Sequence, residues 1–226
     1  MEFTSKKKEP VVQQPKEFWR VGEWFTDIDA SKLELLRKFN DELKKFNNAL
    51  NLVSAKTLPL SDIIHFADCI SASRLMYNDC KPKQIVDFGS GNGFPGVVFA
   101  ILYPQVTVTI IDRDARKIEF LGHVVKTLSL NNINCQVNSL ESIPQGSLEC
   151  VVTRGFAPIS KAILALRKPF KKGGILYMLK GEEWATEVAN IPSQLCTFWT
   201  PHLVGEYKLP LGEVKFAVVK LLKVNE

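Results

Sequence analysis

The 226-residue chain has no Cys-x-x-Cys pair; Cys69, Cys80, Cys135, Cys150 and Cys196 are scattered singly. That spacing excludes a zinc finger and a compact disulfide framework, so no metal is expected. Reduced thiols in a cytoplasmic protein are the simplest reading. No apolar run reaches the ~20 residues needed to cross a bilayer, so no membrane role is expected. The stretch Met1 to Pro15 carries Lys6-Lys7-Lys8 with no apolar segment behind it, which is not the pattern of a secretory signal. Internal repeats and low-complexity blocks are also missing. What remains is ordinary globular composition, 46% hydrophobic and 23% charged. The net charge of +5 permits a polyanionic partner without requiring one.

Three regions are expected. Residues 1–15 read as a flexible basic tail, residues 16–80 as a helical extension, and residues 81–226 as an α/β domain. In the extension, Ser31 and Glu34 have the spacing of a capping box, and Leu33, Leu36, Phe39, Leu43, Phe46 and Leu50 recur at helical intervals. Pro59 is expected to break that helix, and Ser61 to cap a second one running to about Tyr77. From Lys83 onward, short β-rich runs (84–88, 106–111, 133–137, 148–153 and 174–179) alternate with helical stretches near 96–102, 113–128 and 159–167. Such alternation predicts a mostly parallel sheet covered on both faces. The runs 196–203 and 214–222 can pair as a hairpin that adds an antiparallel strand.

The first β run ends in a loop with glycines at 89, 91, 93 and 96, and a helix follows closely. In an open α/β sheet this is where a ligand binds. Gly91-x-Gly93-x-x-Gly96 formally matches a dinucleotide fingerprint, a weak signal by itself. Three features favour S-adenosylmethionine instead. Asp87 stands where a carboxylate can meet the ligand's amino group. Pro95 occupies the place where a pyrophosphate would want free N–H donors. The antiparallel last strand is common among class I methyltransferases. Asp112, about twenty residues on, can accept from ribose hydroxyls, with Asp114 as a register alternative. Leu140 and Glu141, after the third strand, lie where an apolar side chain and a carboxylate could flank adenine.

These residues resemble the glucose-inhibited division protein B family, the 16S rRNA (guanine-N7) methyltransferases G. The likeness runs from about Phe39 to Lys220. Its matching stretches include Phe46 to Ser54, His65-Phe66-Ala67-Asp68, Asp87 to Gly96, Arg116 to Leu121, Thr153-Arg154-Gly155-Phe156-Ala157 and Leu179-Lys180-Gly181. The ending Phe94-Pro95-Gly96 is its most specific element. The resemblance implies a class I, Rossmann-like fold with a seven-stranded, mostly parallel sheet and an antiparallel last strand. It implies methyl transfer from S-adenosylmethionine to N7 of a guanine in the 530 loop of 16S rRNA, free or in the 30S subunit. It further implies cofactor contacts at Gly89, Phe94, Leu140, Glu141 and Arg154, beside the Asp87, Gly91, Gly93 and Asp112 already singled out. His65, Asp68 and Lys180 match family positions at or near the mouth of the active site, so with Arg154 they are the expected catalytic set. The chain departs from the family at Ile64 and Val214, which are usually Arg, and at Cys69, usually Ser.

Guanine N7 carries a free lone pair, so attack on a sulfonium methyl needs positioning and no general base. Arg154 could face the cofactor or the guanine O6, and a surface ion pair is its plain alternative. His65 could equally be a satisfied core histidine with Asp68 fixing it. Lys180 could be a solvated strand end. Lys161, Arg167, Lys168, Lys171 and Lys172 could line an RNA face, although basic residues at a helix end also suit its dipole. Trp19, Trp24, Phe94 and Phe156 are candidates for stacking on bases. A monomer is the default. The readings that stay open are a cofactor-binding relative acting as a binding or regulatory module and, more distantly, a small-molecule or protein methyltransferase.

Overall fold

A computed structural model describes residues 18–225, so the expected basic tail lies outside the described residues. In chain order the elements begin with α1 (Val21–Trp24), α2 (Ala30–Leu50), α3 (Asp68–Cys80), β1 (Gln84–Phe88), α4 (Gly96–Leu102), β2 (Thr107–Asp112) and α5 (Ala115–Thr127). They continue with β3 (Ile133–Val137), β4 (Leu148–Arg154), α6 (Ile159–Ala165), β5 (Phe170–Lys180), α7 (Trp184–Ala189), α8 (Ser193–Cys196), β6 (Trp199–Lys208) and β7 (Lys215–Lys223). The seven strands form one sheet in the order β3-β2-β1-β4-β5-β7-β6. β7 runs antiparallel to both of its neighbours, and the other pairings are parallel. The order reverses between β1 and β4, which opens a crevice at the carboxyl ends of the strands.

The central strands bury apolar side chains on both faces of the sheet, because both faces are covered. One face packs Ile85, Val108, Ile110 and Val152 against Leu36, Phe39 and Leu43 of α2, and Ile70 and Met76 of α3. The other packs Phe88, Val151, Leu176 and Met178 against Ile159 and Ile163 of α6. β7 alternates between them, with Val218 on the first face and Ala217, Val219 and Leu221 on the second. Among the described residues, no helix is long and apolar enough to cross a membrane.

The helical region differs from expectation in local ways. Asp29, not Ser31, caps α2: its carboxylate accepts from the Lys32 amide at 2.9 Å, and Ser31 donates its hydroxyl to the same carboxylate. A carboxylate also complements the positive end of the helix, which a hydroxyl does only weakly. Pro59 does not end the helix; Asn51 does, in the left-handed conformation at φ 49°. Ser61 turns its hydroxyl to Asn40 at 2.6 Å instead of capping, and Asp62–Ala67 form a π-helical segment leading into α3. Such wide turns cluster at functional sites. Arg20 grips both oxygens of the buried Asp62 at 2.9 and 3.1 Å, tying the chain before α1 to this segment.

Candidate active site

The loop from Gly89 to Pro95 leaves β1 and enters α4. Two glycines are required by space. A Cβ on Gly93, whose φ is +93°, would lie 2.7 Å from Leu121 and 2.9 Å from Val97. On Gly96 it would lie 2.6 Å from Oδ2 of Asp87. Asp87 is fully buried beneath the loop, where its Oδ2 accepts from the Ser90 hydroxyl at 2.6 Å and from the Gly96 amide at 2.8 Å. Its Oδ1 has no hydrogen-bond partner. Burial pushes its carboxyl up to about 6, against the pull of those two donors. Asp87 lines neither cavity described below; it serves as the resident anion at the start of α4. The amide a pyrophosphate would seek is already satisfied by the protein, which disfavours the dinucleotide reading.

A cavity of about 460 Å³ opens at the carboxyl ends of β1 and β2. Gly89, Asp112, Leu140 and Glu141 all line it, as do Arg113, Asn138 and Phe156, of which the first two escaped sequence reasoning. Asp112 accepts from the Gly91 amide at 2.7 Å and the Asp114 amide at 2.9 Å, so it joins the cavity wall to the glycine loop. Asp114 instead caps α5 by accepting from the Arg116 amide, so of the two acids Asp112 is the one that lines the cavity. A lining that combines apolar side chains with two carboxylates suits a nucleoside whose ribose hydroxyls and base need different partners. The residues present fit S-adenosylmethionine.

A second cavity of about 360 Å³ adjoins the first at Gly155, which lines both. Its wall includes Asp68, Ser90, Asn92, Phe94, Arg154, Lys180 and Phe216. Arg154 leaves the end of β4 and donates from Nε to Asp68 Oδ2 at 2.8 Å, and from Nη2 to the Ile64 carbonyl at 2.9 Å. Nη2 also lies 3.2 Å from Nδ1 of His65. Thus position 64 contributes its main chain, which any side chain there would provide. Tyr207 of β6 donates its hydroxyl to the other Asp68 oxygen at 2.6 Å. Burial raises the Asp68 carboxyl, while Arg154 and Tyr207 hold it back. Burial and the Arg154 charge push His65 down to about 4, so at neutral pH the imidazole accepts from the guanidinium.

Of the expected catalytic set, Asp68, Arg154 and Lys180 meet in this second cavity. His65 stands behind the wall, stacked on Phe94 at 5.3 Å, and supports Arg154 from there. Lys180 is committed: its ammonium donates to the Ala157 carbonyl at 3.1 Å and pairs with Glu187 at 2.7 Å. Glu187 also accepts from the Ile159 amide at 2.8 Å, so the pair fastens the loop after β4. Asn92 donates to the Leu52 carbonyl at 2.9 Å and secures the opposite rim. Trp19 packs on Phe66, and the Arg20 guanidinium lies 4.8 Å from the Trp24 ring. Lys168, Lys171 and Lys172 cluster around the start of β5, the edge of the sheet opposite both cavities.

The sheet order, with a glycine loop and two neighbouring cavities at its carboxyl edge, defines a class I methyltransferase fold. Solved structures agree: a mutant of MtNAS in complex with S-adenosylmethionine aligns with TM-score 0.57 at 14% identity, covering 91% of this chain and 83% of that one. An S-adenosylmethionine-dependent methyltransferase from Aquifex aeolicus aligns with TM-score 0.51 at 12% identity, covering 81% and 98%. The family model described as rRNA small subunit methyltransferase G matches residues 32–200. Ribosomal RNA small subunit methyltransferase G 3 of Bdellovibrio bacteriovorus is 49% identical over 211 residues, 93% of this chain and 96% of that protein. Its counterpart named methyltransferase G in Halorhodospira halophila is 31% identical over 75% and 79%. The chain belongs to the rRNA small subunit methyltransferase G family.

Proposed function

We propose that this protein transfers the methyl group of S-adenosylmethionine to N7 of a guanine in the 530 loop of 16S rRNA. The observation that supports the reading is the pair of cavities that share Gly155, one nucleoside-sized and the other walled by the Arg154–Asp68 pair. In this reading Gly89, Asp112, Leu140 and Glu141 surround the cofactor, while Asp87, Gly91, Gly93 and Phe94 shape the loop beneath it. Bound S-adenosylmethionine supplies an electrophilic methyl on a positively charged sulfur.

The chain's own residues then act by placement. Asp68 has both oxygens engaged, by Arg154 and Tyr207, and is not free to take a proton. N7 requires no such base, because its lone pair is available without deprotonation. Arg154 can turn an N–H toward the guanine O6. Asp68, at 2.8 Å, neutralises its charge. The pair therefore orients the base without opposing the positive charge that methylation creates on the ring. Lys180 and Glu187 hold the loop 155–158 against the cavity junction. The reading assigns residues 16–80 as a helical extension of the cofactor-binding domain 81–226. It sets the reaction in the cytoplasm on 16S rRNA or the 30S subunit, with one copy of the chain carrying both cavities.

Incubation with radiolabelled S-adenosylmethionine and either intact 30S subunits or stripped 16S rRNA tests this directly. The expected product is labelled N7-methylguanosine at one position. Calorimetric binding of the cofactor without transfer to either substrate would sink the proposal and favour a binding or regulatory module.

A further inference from the structure

The second cavity contains two aromatic side chains, and they differ in availability. Phe94 is only 2% exposed. It is enclosed by Phe39, Phe66 and His65 at 5.1, 5.0 and 5.3 Å between ring centres, so no base can reach its face. Phe156, the other aromatic next to the glycine loop, lines the first cavity and packs edge-on against Phe88 at 5.7 Å. Phe216 is different. It is half-buried, it lines the second cavity with Arg154 and Lys180, and it comes from the C-terminal hairpin.

The register explains how it gets there. Ala217 pairs with Lys180 at the carboxyl end of β5, and Phe216 pairs with Tyr207 on β6. The alternation of β7 sends Ala217 to the α6 face and Phe216 to the α3 face, the face that carries Asp68. Tyr207 stacks on Phe216 with centres 5.9 Å apart and planes at 22°. The Tyr207 hydroxyl donates to Asp68, which holds Arg154. One continuous chain of contacts thus runs from Phe216 through Tyr207 and Asp68 to Arg154.

We propose that Phe216 is the stacking platform for the target guanine, and that Tyr207 is a positioning residue that sets the platform against the Arg154–Asp68 pair. This rests on the methyl-transfer reading above. An aromatic face accepts any base, and the guanidinium beside it supplies the preference for guanine. The platform also favours the product side. As the S–CH3 bond breaks and the N7–CH3 bond forms, the positive charge leaves the sulfonium and settles on the guanine ring. The bonding electron pair of the former S–CH3 bond stays on sulfur. A cationic ring over the negative face of Phe216 is better held than the neutral base it replaces.

The test uses the full-length protein and the 30S subunit or 16S rRNA, whichever the wild type methylates. Phe216→Leu keeps an apolar side chain and removes the π face; Phe216→Trp keeps a π face. Both are checked by thermal melting and by calorimetry with S-adenosylmethionine, which are expected to match wild type. Phe216→Leu is expected to lower kcat/KM by about ten-fold, with part of the loss in kcat, while Phe216→Trp retains most of it. Tyr207→Phe is expected to lower kcat with cofactor affinity unchanged. Wild-type rates in Phe216→Leu, or equal losses in the Leu and Trp variants, would overturn the platform. A wild type that methylates neither substrate would overturn the methyl-transfer reading itself, a different result from either.

Discussion

Replacing Asp87 with Asn changes one buried charge and almost nothing else. The asparagine oxygen, placed where Oδ2 stands, can still accept from both the Ser90 hydroxyl and the Gly96 amide, and its Nδ2 takes the place of the unpartnered Oδ1, a cost that does not depend on pH. What disappears is the cost of burying a carboxylate. In the unfolded chain this group releases its proton near 3.8, whereas in the folded protein burial delays release to about 6. Between those values the folded state binds more protons than the unfolded one, so stability falls as pH rises through the window. The full interval corresponds to about 3 kcal/mol, of which roughly half develops between pH 5 and pH 8. Urea denaturation of cofactor-free wild type and Asp87→Asn across that range measures it. The stability difference is expected to move by that amount in favour of the variant as pH rises. A difference independent of pH would refute the reasoning, because it would mean that Asp87 titrates as a solvated carboxylate.

Arg154→Ala leaves Asp68 buried with its cation gone, so denaturation should show a loss of about 3–5 kcal/mol together with loss of transfer. Adding Asp68→Asn should restore most of that stability and none of the transfer, which separates folding from function. Gly93→Ala drives a methyl group into Leu121 and Val97 at a positive φ; a stability loss of about 2–3 kcal/mol is expected in chemical denaturation. Glu141 is exposed at the rim of the first cavity. Glu141→Gln should therefore leave the melting temperature unchanged and weaken S-adenosylmethionine binding about ten-fold by calorimetry.

What could be read before the structure was whatever is local in the chain. β1 was legible to the residue because its run ends sharply at the glycine loop, and β3 because its alternating run ends at the polar Asn138 and Ser139. The lining of the first cavity was legible too, since Asp112 closes β2 and Gly89, Leu140 and Glu141 sit just past a strand end. The α2 start was misplaced because Ser31 and Glu34 imitate a capping box, while the stronger acceptor, Asp29, stands two residues earlier. The second cavity was only half legible. Arg154 and Asp68 could be named, yet the tyrosine that fixes Asp68 lies 139 residues away, and no short-range pattern announces it. Lys180 suggested a free cation; Glu187 on α7, a helix too short to leave a periodic signature, neutralises it. Phe94 and Phe156 gained weight from their sequence neighbours, whereas Phe216 sits in an ordinary β run whose register alone brings it to the cavity.

The insertion of β7 between β5 and β6 has a consequence for how the edge of the sheet is held. Among the described residues β6 pairs in the sheet with β7 alone, so whatever parts β7 from β5 releases both strands at once. The hairpin is fastened along α3, with Tyr207 on Asp68 at one end and Lys220 on Asp79 at the other. No residue of the hairpin lines the first cavity, whereas Phe216 lines the second. Loosening these two fastenings would therefore alter the second cavity and leave the lining of the first in place.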